Sequence, residues 1–280
     1  MMTRRTLLAG AATATLLPAR TLKTVGVQLY TVRSIIEKNT LETLQAIEQA
    51  GFREVEATWG NLEKIWPSLQ QTKLKAVSLH LDTAMFTRNQ EKVAAALDSA
   101  AQKHFKYVVC PYVAPADRGG VEVMKKLAAT LNKAGQQAKA AGLTLAYHNH
   151  AFEFAKAEDG KTLLDHLLSN CDANLVQLEM DVMWVTVAGA DPVALLKQYK
   201  GRVPLLHLKD VLKSEPNRLD EGIARTSFAE VGNGRIDFAA VLAAAAANGA
   251  KHYFVEQDQT PGAPVDSLKS SIANLRKINF

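Results

Sequence analysis

The stretch of residues 175–210 reads LVQLEMDVMWVTVAGADPVALLKQYKGRVPLLHLKD. It contains a short apolar strand candidate (175–180), a helical stretch (192–199) and a second apolar strand candidate (203–208), with no linker between them. Short apolar strands that alternate with helices are typical of a parallel sheet with helical crossovers. The stretch therefore predicts one strand–helix–strand unit of an α/β fold.

The same alternation continues through the rest of the chain from residue 24. The strand candidates are residues 24–29, 54–57, 75–79, 107–110, 143–147, 175–180, 203–208 and 253–255, and the helical stretches include 41–50, 90–103, 121–141, 192–199 and 238–248. Eight such units match a closed (β/α)8 barrel better than an open doubly wound sheet. The first turn, at residues 25–30, has one glycine and lacks the GxGxxG of a dinucleotide-binding fold. We predict a single-domain TIM barrel over residues 24–280.

Local sequence patterns predict the ends of one helix and the position of one long connection. Thr40 is the expected N-cap of helix 41–50, and Gly51 is expected to end that helix in a left-handed conformation. A long polar connection, residues 211–230, follows strand seven. Because functional loops of barrels follow the carboxyl ends of the strands, this connection is a candidate lid or substrate loop.

The composition is that of an ordinary globular protein, with 48% hydrophobic and 22% charged residues. The formal net charge is +5, but Arg4, Arg5 and Arg20 lie near the amino terminus and leave +2 for the rest. No Lys/Arg cluster is interleaved with aromatic residues elsewhere, so the sequence predicts no nucleic-acid partner. A chain with this much apolar material needs no disulfide, and Cys110 and Cys171 are expected to be buried free thiols rather than a pair.

Residues 1–20, MMTRRTLLAGAATATLLPAR, have the pattern of an export leader. The paired Arg4 and Arg5 precede an apolar run that is shorter than the about 20 residues of a membrane span. Residues 3–8 resemble a twin-arginine signal. We predict a signal peptide over residues 1–23 with cleavage near Ala19, a periplasmic or secreted protein, and no stable membrane anchor after cleavage. An amino-terminal anchor or a cytoplasmic helix is the alternative.

Ionisable residues collect where the predicted strands end, which is where a barrel carries its catalytic groups. They are His80 at strand three; His148, His150 and Glu153 at strand five; Asp181 at strand six; His207, Lys209 and Asp210 at strand seven; and Glu256 and Asp258 at strand eight. Imidazoles and carboxylates that meet at one barrel mouth suit a divalent ion such as Mn, Co, Zn or Mg.

Each of these residues also has a plainer interpretation. A lone histidine at a strand end is more often a satisfied polar group, Asp210 could cap the following segment, and Glu179 could face outward. Burying so many charges without a counter-ion would be costly, however, which favours the joint interpretation. Strand alternation places the following pairs on shared faces: His148 with His150, His207 with Lys209, and Glu256 with Asp258.

Five segments of the chain resemble one known superfamily. They are Gly26-Val27-Gln28-Leu29-Tyr30, Tyr147-His148-Asn149-His150, Asp181-Val182-Met183-Trp184, His207-Leu208-Lys209-Asp210 and Val255-Glu256-Gln257-Asp258. In order and spacing they are similar to the sugar phosphate isomerase/epimerase superfamily, the xylose isomerase-like TIM barrels, and within it to an exported bacterial branch. The resemblance covers essentially the whole chain after the leader.

The resemblance implies a metal site held by Glu, Asp, His and Glu from strands five to eight. The last three carry over to Asp181, His207 and Glu256. Strand five departs from the pattern, because the position of the family glutamate, counted from the glycine before the strand, is His148. His150 and Glu153 are the alternatives for this ligand. The facing pair of glutamates that acts as acid and base in ketose epimerases is therefore unsymmetrical here.

The resemblance also implies the chemistry. A divalent ion chelated by a carbonyl and its neighbouring hydroxyl acidifies the adjacent C–H, and Glu256 or His148 then removes the proton to give an enediolate. Lys209 stabilises the oxyanion. The remaining residues expected to contact substrate are Gln28, Trp59, His80, His150, Glu153 and Trp184. Either tryptophan could instead serve only packing.

The sequence raises four candidate functions for the protein. The leading one is an isomerase or epimerase of a sugar or keto-sugar, and a lyase or hydratase of a 3-keto-glycoside or inosose shares every residue. An apurinic-site endonuclease would need a richer metal cluster and a basic groove. A non-catalytic sugar-binding protein of the cell envelope would need no metal. A small sugar is the expected partner, and a homo-oligomer is compatible with the sequence.

Overall fold

A computed structural model of the protein describes residues 20–280. The paired arginines and the cleavage point predicted near Ala19 lie outside the described residues. Across residues 20–280, no helix combines the length and the apolar character that a membrane crossing requires.

Eight parallel strands close into a barrel. They are β1 (Gly26–Gln28), β2 (Glu54–Thr58), β3 (Lys75–His80), β4 (Tyr107–Cys110), β5 (Thr144–His148), β6 (Val176–Asp181), β7 (Leu205–Leu208) and β8 (His252–Val255). Each strand pairs with its neighbours in sequence, and β1 pairs with β8 to close the sheet. The predicted single-domain (β/α)8 barrel is confirmed, and all eight strand candidates overlap an observed strand.

Helices connect the strands. They are α1 (Arg33–Ile36), α2 (Thr40–Ala50), α3 (Leu62–Leu69), α4 (Ala84–Thr87), α5 (Val93–Gln102), α6 (Val121–Ala140), α7 (Leu163–Asn170), α8 (Val182–Val187), α9 (Pro192–Gln198), α10 (Phe238–Ala247) and α11 (Pro264–Leu275). Short 3-10 segments lie at Leu29–Val32, Trp59–Asn61, Gln90–Lys92, Pro115–Asp117, Phe152–Phe154 and Arg225–Ser227.

The strands bury both faces. On β5, Leu145 and Tyr147 belong to the large core between the sheet and the helices, whereas Ala146 belongs to a separate apolar cluster. That cluster, which we call the barrel plug, consists of Val77, Tyr107, Val109, Ala146, Leu205 and Phe254. Gly26 on β1 makes room for the plug, because a Cβ atom there would collide with the Phe254 ring.

Two local predictions have different outcomes. Gly51 ends α2 with a φ of 110°, as predicted. The prediction that Thr40 is the N-cap was wrong: Asn39 holds that position and Thr40 is the first helical residue. The Thr40 hydroxyl instead donates a hydrogen bond back to the Ile36 carbonyl, at 2.8 Å. Cys110 and Cys171 are buried free thiols, as predicted.

The long connection after β7 is anchored at its base by one carboxylate. Asp210 accepts hydrogen bonds from the backbone N–H groups of Val211, Gly232, Gly234 and Ile236, at 2.8–3.3 Å. Asp210 therefore has the structural role that the plainer interpretation gave it.

Farther out, both carboxylate oxygens of Glu221 in the same connection accept hydrogen bonds from Nη2 of Arg118, which follows β4, at 2.7 and 2.8 Å. Glu221 also accepts a hydrogen bond from the Tyr112 hydroxyl at 3.2 Å. Since Tyr112 lines the central cavity, these contacts bring the connection to the edge of that cavity.

Candidate active site

The carboxyl ends of the strands surround a cavity of about 660 Å³, a size ordinary for small-molecule sites. Its lining residues lie at or just beyond those strand ends. They are Tyr30, Thr58, Trp59, Gly60, His80, Leu81, Asp82, Pro111, Tyr112, His148, His150, Lys209, Glu256 and Asp258.

Four predicted metal ligands converge at this cavity, and we call them the tetrad: His148, Asp181, His207 and Glu256. His148 and Asp181 end β5 and β6, His207 lies within β7, and Glu256 directly follows β8. All four are buried, and one donor atom from each lies within 4.8 Å of the others. Parallel pairing produces this convergence, because Asp181 and His207 are direct register partners.

Lys209 carries a buried ammonium group against the same carboxylates. Its Nζ lies 2.8 Å from Glu256 Oε2, 3.0 Å from Asp181 Oδ2 and 3.0 Å from Asp258 Oδ2. Burial alone would lower the pKa of Lys209, but Asp181, Asp258 and Glu256 outweigh it and raise the pKa well above its usual value. Burial would likewise raise the pKa of Glu256, but Lys209 and His207 hold it well below its usual value. Lys209 and Glu256 are therefore both charged.

Two imidazoles at the cavity are neutral. Burial lowers the pKa of His148 well below its usual value, and His207 lowers it further. Burial and the charge of Lys209 do the same for the pKa of His150. A neutral imidazole can accept a proton, so the cavity offers two nitrogen bases beside the carboxylate of Glu256.

Beneath the tetrad lies a second polar group, which we call the inner layer: Glu56, His80 and Glu179. His80 Nε2 lies 2.9 Å from Glu56 Oε2 and 2.8 Å from Glu179 Oε2. Burial would lower the pKa of His80, but the two glutamates raise it to about 9, which makes this histidine a cation. Gln28 donates a hydrogen bond to Glu56 Oε2 at 3.0 Å, so it contacts the inner layer and does not line the cavity.

Sequence reasoning missed two members of the inner layer. Glu56 was not singled out, and Glu179 was expected to be able to face outward, whereas both are fully buried inside the barrel. A signal was present, because Glu54 and Glu56 alternate along β2 and a barrel strand has no solvent-exposed face.

Besides Gln28, two residues expected at the substrate do not line the cavity. Glu153 is fully buried and accepts hydrogen bonds from the Tyr147 hydroxyl at 2.6 Å and from His150 N–H at 2.9 Å. It therefore fixes the turn after β5. Trp184 is only 4% exposed; its ring lies 5.4 Å from that of His150 and 5.8 Å from the Lys209 ammonium, so it packs behind both groups. Trp59, His80 and His150 do line the cavity.

The tetrad fits a divalent ion by the chemistry of its donors. Two imidazoles and two carboxylates suit Zn, Mn or Co, and strongly buried carboxylates need a cationic partner. Asp181 Oδ2 is buried and accepts no hydrogen bond of good geometry within residues 20–280, which leaves a lone pair for an ion. Lys209 approaches the same oxygen, so an ion and the ammonium group would compete for Asp181 and Glu256.

Known proteins resemble this chain in sequence and in fold. Residues 44–278 match the xylose isomerase-like TIM barrel family. An inosose dehydratase of Clostridium perfringens is 32% identical over 148 residues, which cover 50% of this chain and 49% of that protein. The chain thus spans about half the length of the curated relatives it matches.

Two solved structures have the same fold. A sugar phosphate isomerase/epimerase from Parabacteroides distasonis superposes with a TM-score of 0.76 at 22% identity, over 91% of this chain and 98% of that chain. The IOLI protein, solved with a zinc atom, superposes with a TM-score of 0.72 at 17% identity, over 92% of this chain and 99% of that chain. The match over residues 44–278 shows that the chain belongs to the xylose isomerase-like TIM barrel family.

Proposed function

We propose that the protein is a metal-dependent isomerase or epimerase that removes the proton next to the carbonyl of a keto-sugar or a cyclic keto-polyol. One observation carries the proposal: the tetrad opens on a small-molecule cavity that also presents an ammonium group and neutral imidazoles. A divalent ion bound by the tetrad would polarise the substrate carbonyl and acidify the adjacent C–H.

The chain supplies the other groups that this chemistry needs. Glu256 is the proposed base, because its carboxylate lines the cavity and is ionised. Neutral His150 lines the same cavity and is a second group there that can exchange a proton with the substrate. Lys209 stabilises the developing enediolate oxygen by its charge. Return of the proton to the opposite face gives an epimer, and return to the former carbonyl carbon gives an isomer.

Dehydration is the second candidate, and two observations favour it. The sequence relative is an inosose dehydratase, and the bases at the site are unlike each other, one carboxylate and one imidazole. In this reaction the C–H bond next to the carbonyl breaks, a C=C bond forms, and the neighbouring C–O bond breaks. The hydroxyl group takes up the removed proton and leaves as water.

The charge of the cavity supports an uncharged substrate. Among the described residues that line it, Lys209 and His80 are the cationic side chains. Three carboxylates already surround Lys209, and Glu56 and Glu179 flank His80. Asp82 adds a further carboxylate. A phosphate group would need cationic side chains or free backbone N–H groups, so we propose a sugar without phosphate.

Incubation of the purified protein with Mn²⁺ in D₂O, with inososes and 3-keto-glucosides as substrates, tests the proposal. We expect deuterium in the recovered substrate or its epimer. Dehydration would instead give an unsaturated ketone that is lighter by one water. If neither deuterium uptake nor loss of water occurs with any keto-sugar, while the protein binds the sugar without needing metal, the protein is a sugar-binding protein.

A further inference from the structure

We propose that Glu56 and Glu179 are positioning residues that select which ring nitrogen of His207 and His148 faces the tetrad. The inference rests on the metal centre of the proposed function. It assigns a role to the inner layer, which has no direct place in the chemistry described above.

His207 is held at both of its nitrogens. Its Nε2 lies 2.6 Å from Glu56 Oε2 in the inner layer, and its Nδ1 lies 2.8 Å from Glu256 Oε2 in the tetrad. A neutral imidazole has one N–H and one lone pair. Without an ion, Nδ1 carries a second proton that it donates to Glu256. When an ion replaces that proton, Nε2–H still donates to Glu56, and the lone pair of Nδ1 points toward the tetrad.

His148 is held in the opposite sense. Its Nδ1 lies 3.0 Å from Glu179 Oε2, and its Nε2 lies 3.7 Å from Asp181 Oδ2. A proton on Nδ1 therefore leaves the lone pair of Nε2 facing the tetrad. The two histidines reach the same centre through different nitrogens, and a buried carboxylate fixes each choice. Carboxylate partners of this kind orient metal-binding histidines and raise their basicity.

The inner layer is rigid enough for this task. Glu56 and Glu179 are both fully buried, and the His80 ring links their carboxylates at 2.9 and 2.8 Å. Gln28 holds Glu56 from a further strand at 3.0 Å. Four strands, β1, β2, β3 and β6, thus fix the positions of the two carboxylates.

A second ion in the inner layer is the competing interpretation, since donor atoms of His80, His148, Glu179 and His207 also lie within 4.8 Å of one another. The contacts of His80 favour hydrogen bonds. His80 Nε2 lies 2.9 Å from Glu56 Oε2 and 2.8 Å from Glu179 Oε2, so its N–H is shared between two carboxylates. A ring nitrogen that carries this proton has no lone pair to offer an ion.

Titration of the full chain with Co²⁺, followed by calorimetry and by visible absorption, tests the inference. Glu56→Gln and Glu179→Gln should each weaken Co²⁺ binding by about 10–100-fold and shift the absorption bands. Glu54→Gln is the matched control. Glu54 is on the same strand and contacts a histidine, His252, at 2.8 Å, but at the other end of the barrel. Its variant should bind Co²⁺ like the wild type.

The outcomes separate this inference from the proposed function. If the wild type binds no divalent ion, or if Asp181→Asn binds as tightly as the wild type, the metal centre itself is wrong. If Asp181→Asn loses the ion while Glu56→Gln and Glu179→Gln keep wild-type affinity, the positioning role is overturned and the metal centre stands. Two ions per wild-type chain and one in Glu179→Gln would overturn it in favour of an inner ion.

A measurement on the wild type tests the inference even if the variants fail to fold. In the zinc-loaded protein, two-bond proton–nitrogen NMR spectra report which imidazole nitrogen carries the proton. We expect the proton on Nε2 of His207 and on Nδ1 of His148. The same protonated nitrogen in both rings would contradict the inference.

Discussion

The barrel interior carries two kinds of glutamate–histidine pair, and the glutamates of both pairs lie on β2. Glu54 and His252, at the amino-terminal end, are 2.8 Å apart, and their side chains are 13% and 11% exposed. Glu56 and His207, near the carboxyl end, are 2.6 Å apart and fully buried. Between these ends the barrel plug is apolar. Water still reaches the first pair, whereas the second is enclosed with further charges, where the local dielectric strengthens every interaction.

The apolar plug and the charged end therefore differ in what they contribute to the protein. The plug contributes burial of apolar surface, whereas the charged end contains groups whose desolvation is costly. Substitutions at the two ends should therefore act on different observables.

The largest expected effect is at the charged end. Glu256→Gln keeps the size and one oxygen of the side chain but removes the basic carboxylate, so turnover should fall by about 10²–10⁴ if general-base catalysis is lost. Steady-state kinetics measure this effect, and thermal unfolding should show a folded protein. Glu54→Gln should keep turnover within about twofold. Full activity in Glu256→Gln would exclude Glu256 as the base.

A substitution in the barrel plug should affect stability. Leu205 is fully buried, and Leu205→Ala should lower the free energy of unfolding by about 2–5 kcal/mol through lost burial and a cavity. Denaturant unfolding measures the loss. Turnover per folded molecule, assayed where the variant is native, should change little. A variant of unchanged stability but low turnover would remove the distinction between the two ends.

Lys209→Met tests whether the ammonium group competes with the ion. The substitution keeps most of the stem and removes the charge that neutralises Asp181 and Glu256, so divalent-ion affinity should rise by about tenfold or more. At saturating metal, kcat and kcat/KM should fall together, as for an interaction made in the transition state. Calorimetry and kinetics on one preparation give both quantities. Weaker metal binding in this variant would show that Lys209 supports the site rather than competing for it.

The smallest effect is a pH dependence of stability from Glu153. Burial raises the pKa of Glu153 to about 8, while the unfolded chain has a pKa near 4.5. The folded state binds more protons between these values, so the contribution is complete below pH 4.5 and is lost as the pH rises toward 8. Glu153→Gln cannot ionise and should show a flatter decline of unfolding temperature over this range. Parallel curves for the two proteins would contradict the raised pKa.

The sequence was most informative where position alone determines a role. Parallel strands that end together bring Asp181, His207 and Glu256 to one place, whatever the details of packing. Assigning Glu56 needs a second step, because Glu54-Val55-Glu56-Ala57 taken alone also has the pattern of a strand with one polar, solvent-exposed face. Only closure of the barrel turns that face inward.

Glu153 shows where prediction from sequence position fails. It lies close to His150 in sequence, which predicted a place at the substrate, but the chain turns after β5 and directs its carboxylate to Tyr147. The direction of a side chain beyond a strand end depends on the turn, which strand periodicity does not determine. The choice between Asn39 and Thr40 as N-cap is of the same kind, a shift of one residue at a helix end.

The carboxylate of Asp210 has a consequence for how this family member can diversify. By binding the backbone at both ends of the connection after β7, it holds those ends together independently of the residues between them. The entropy of closing a flexible loop grows slowly, by about 0.6 kcal/mol for each doubling of length. Insertions and deletions around residues 212–224 should thus cost little in loop-closure entropy, and what they put at risk is the contact of Glu221 with Arg118. The segment can therefore vary in length while the barrel and its charged centre stay the same.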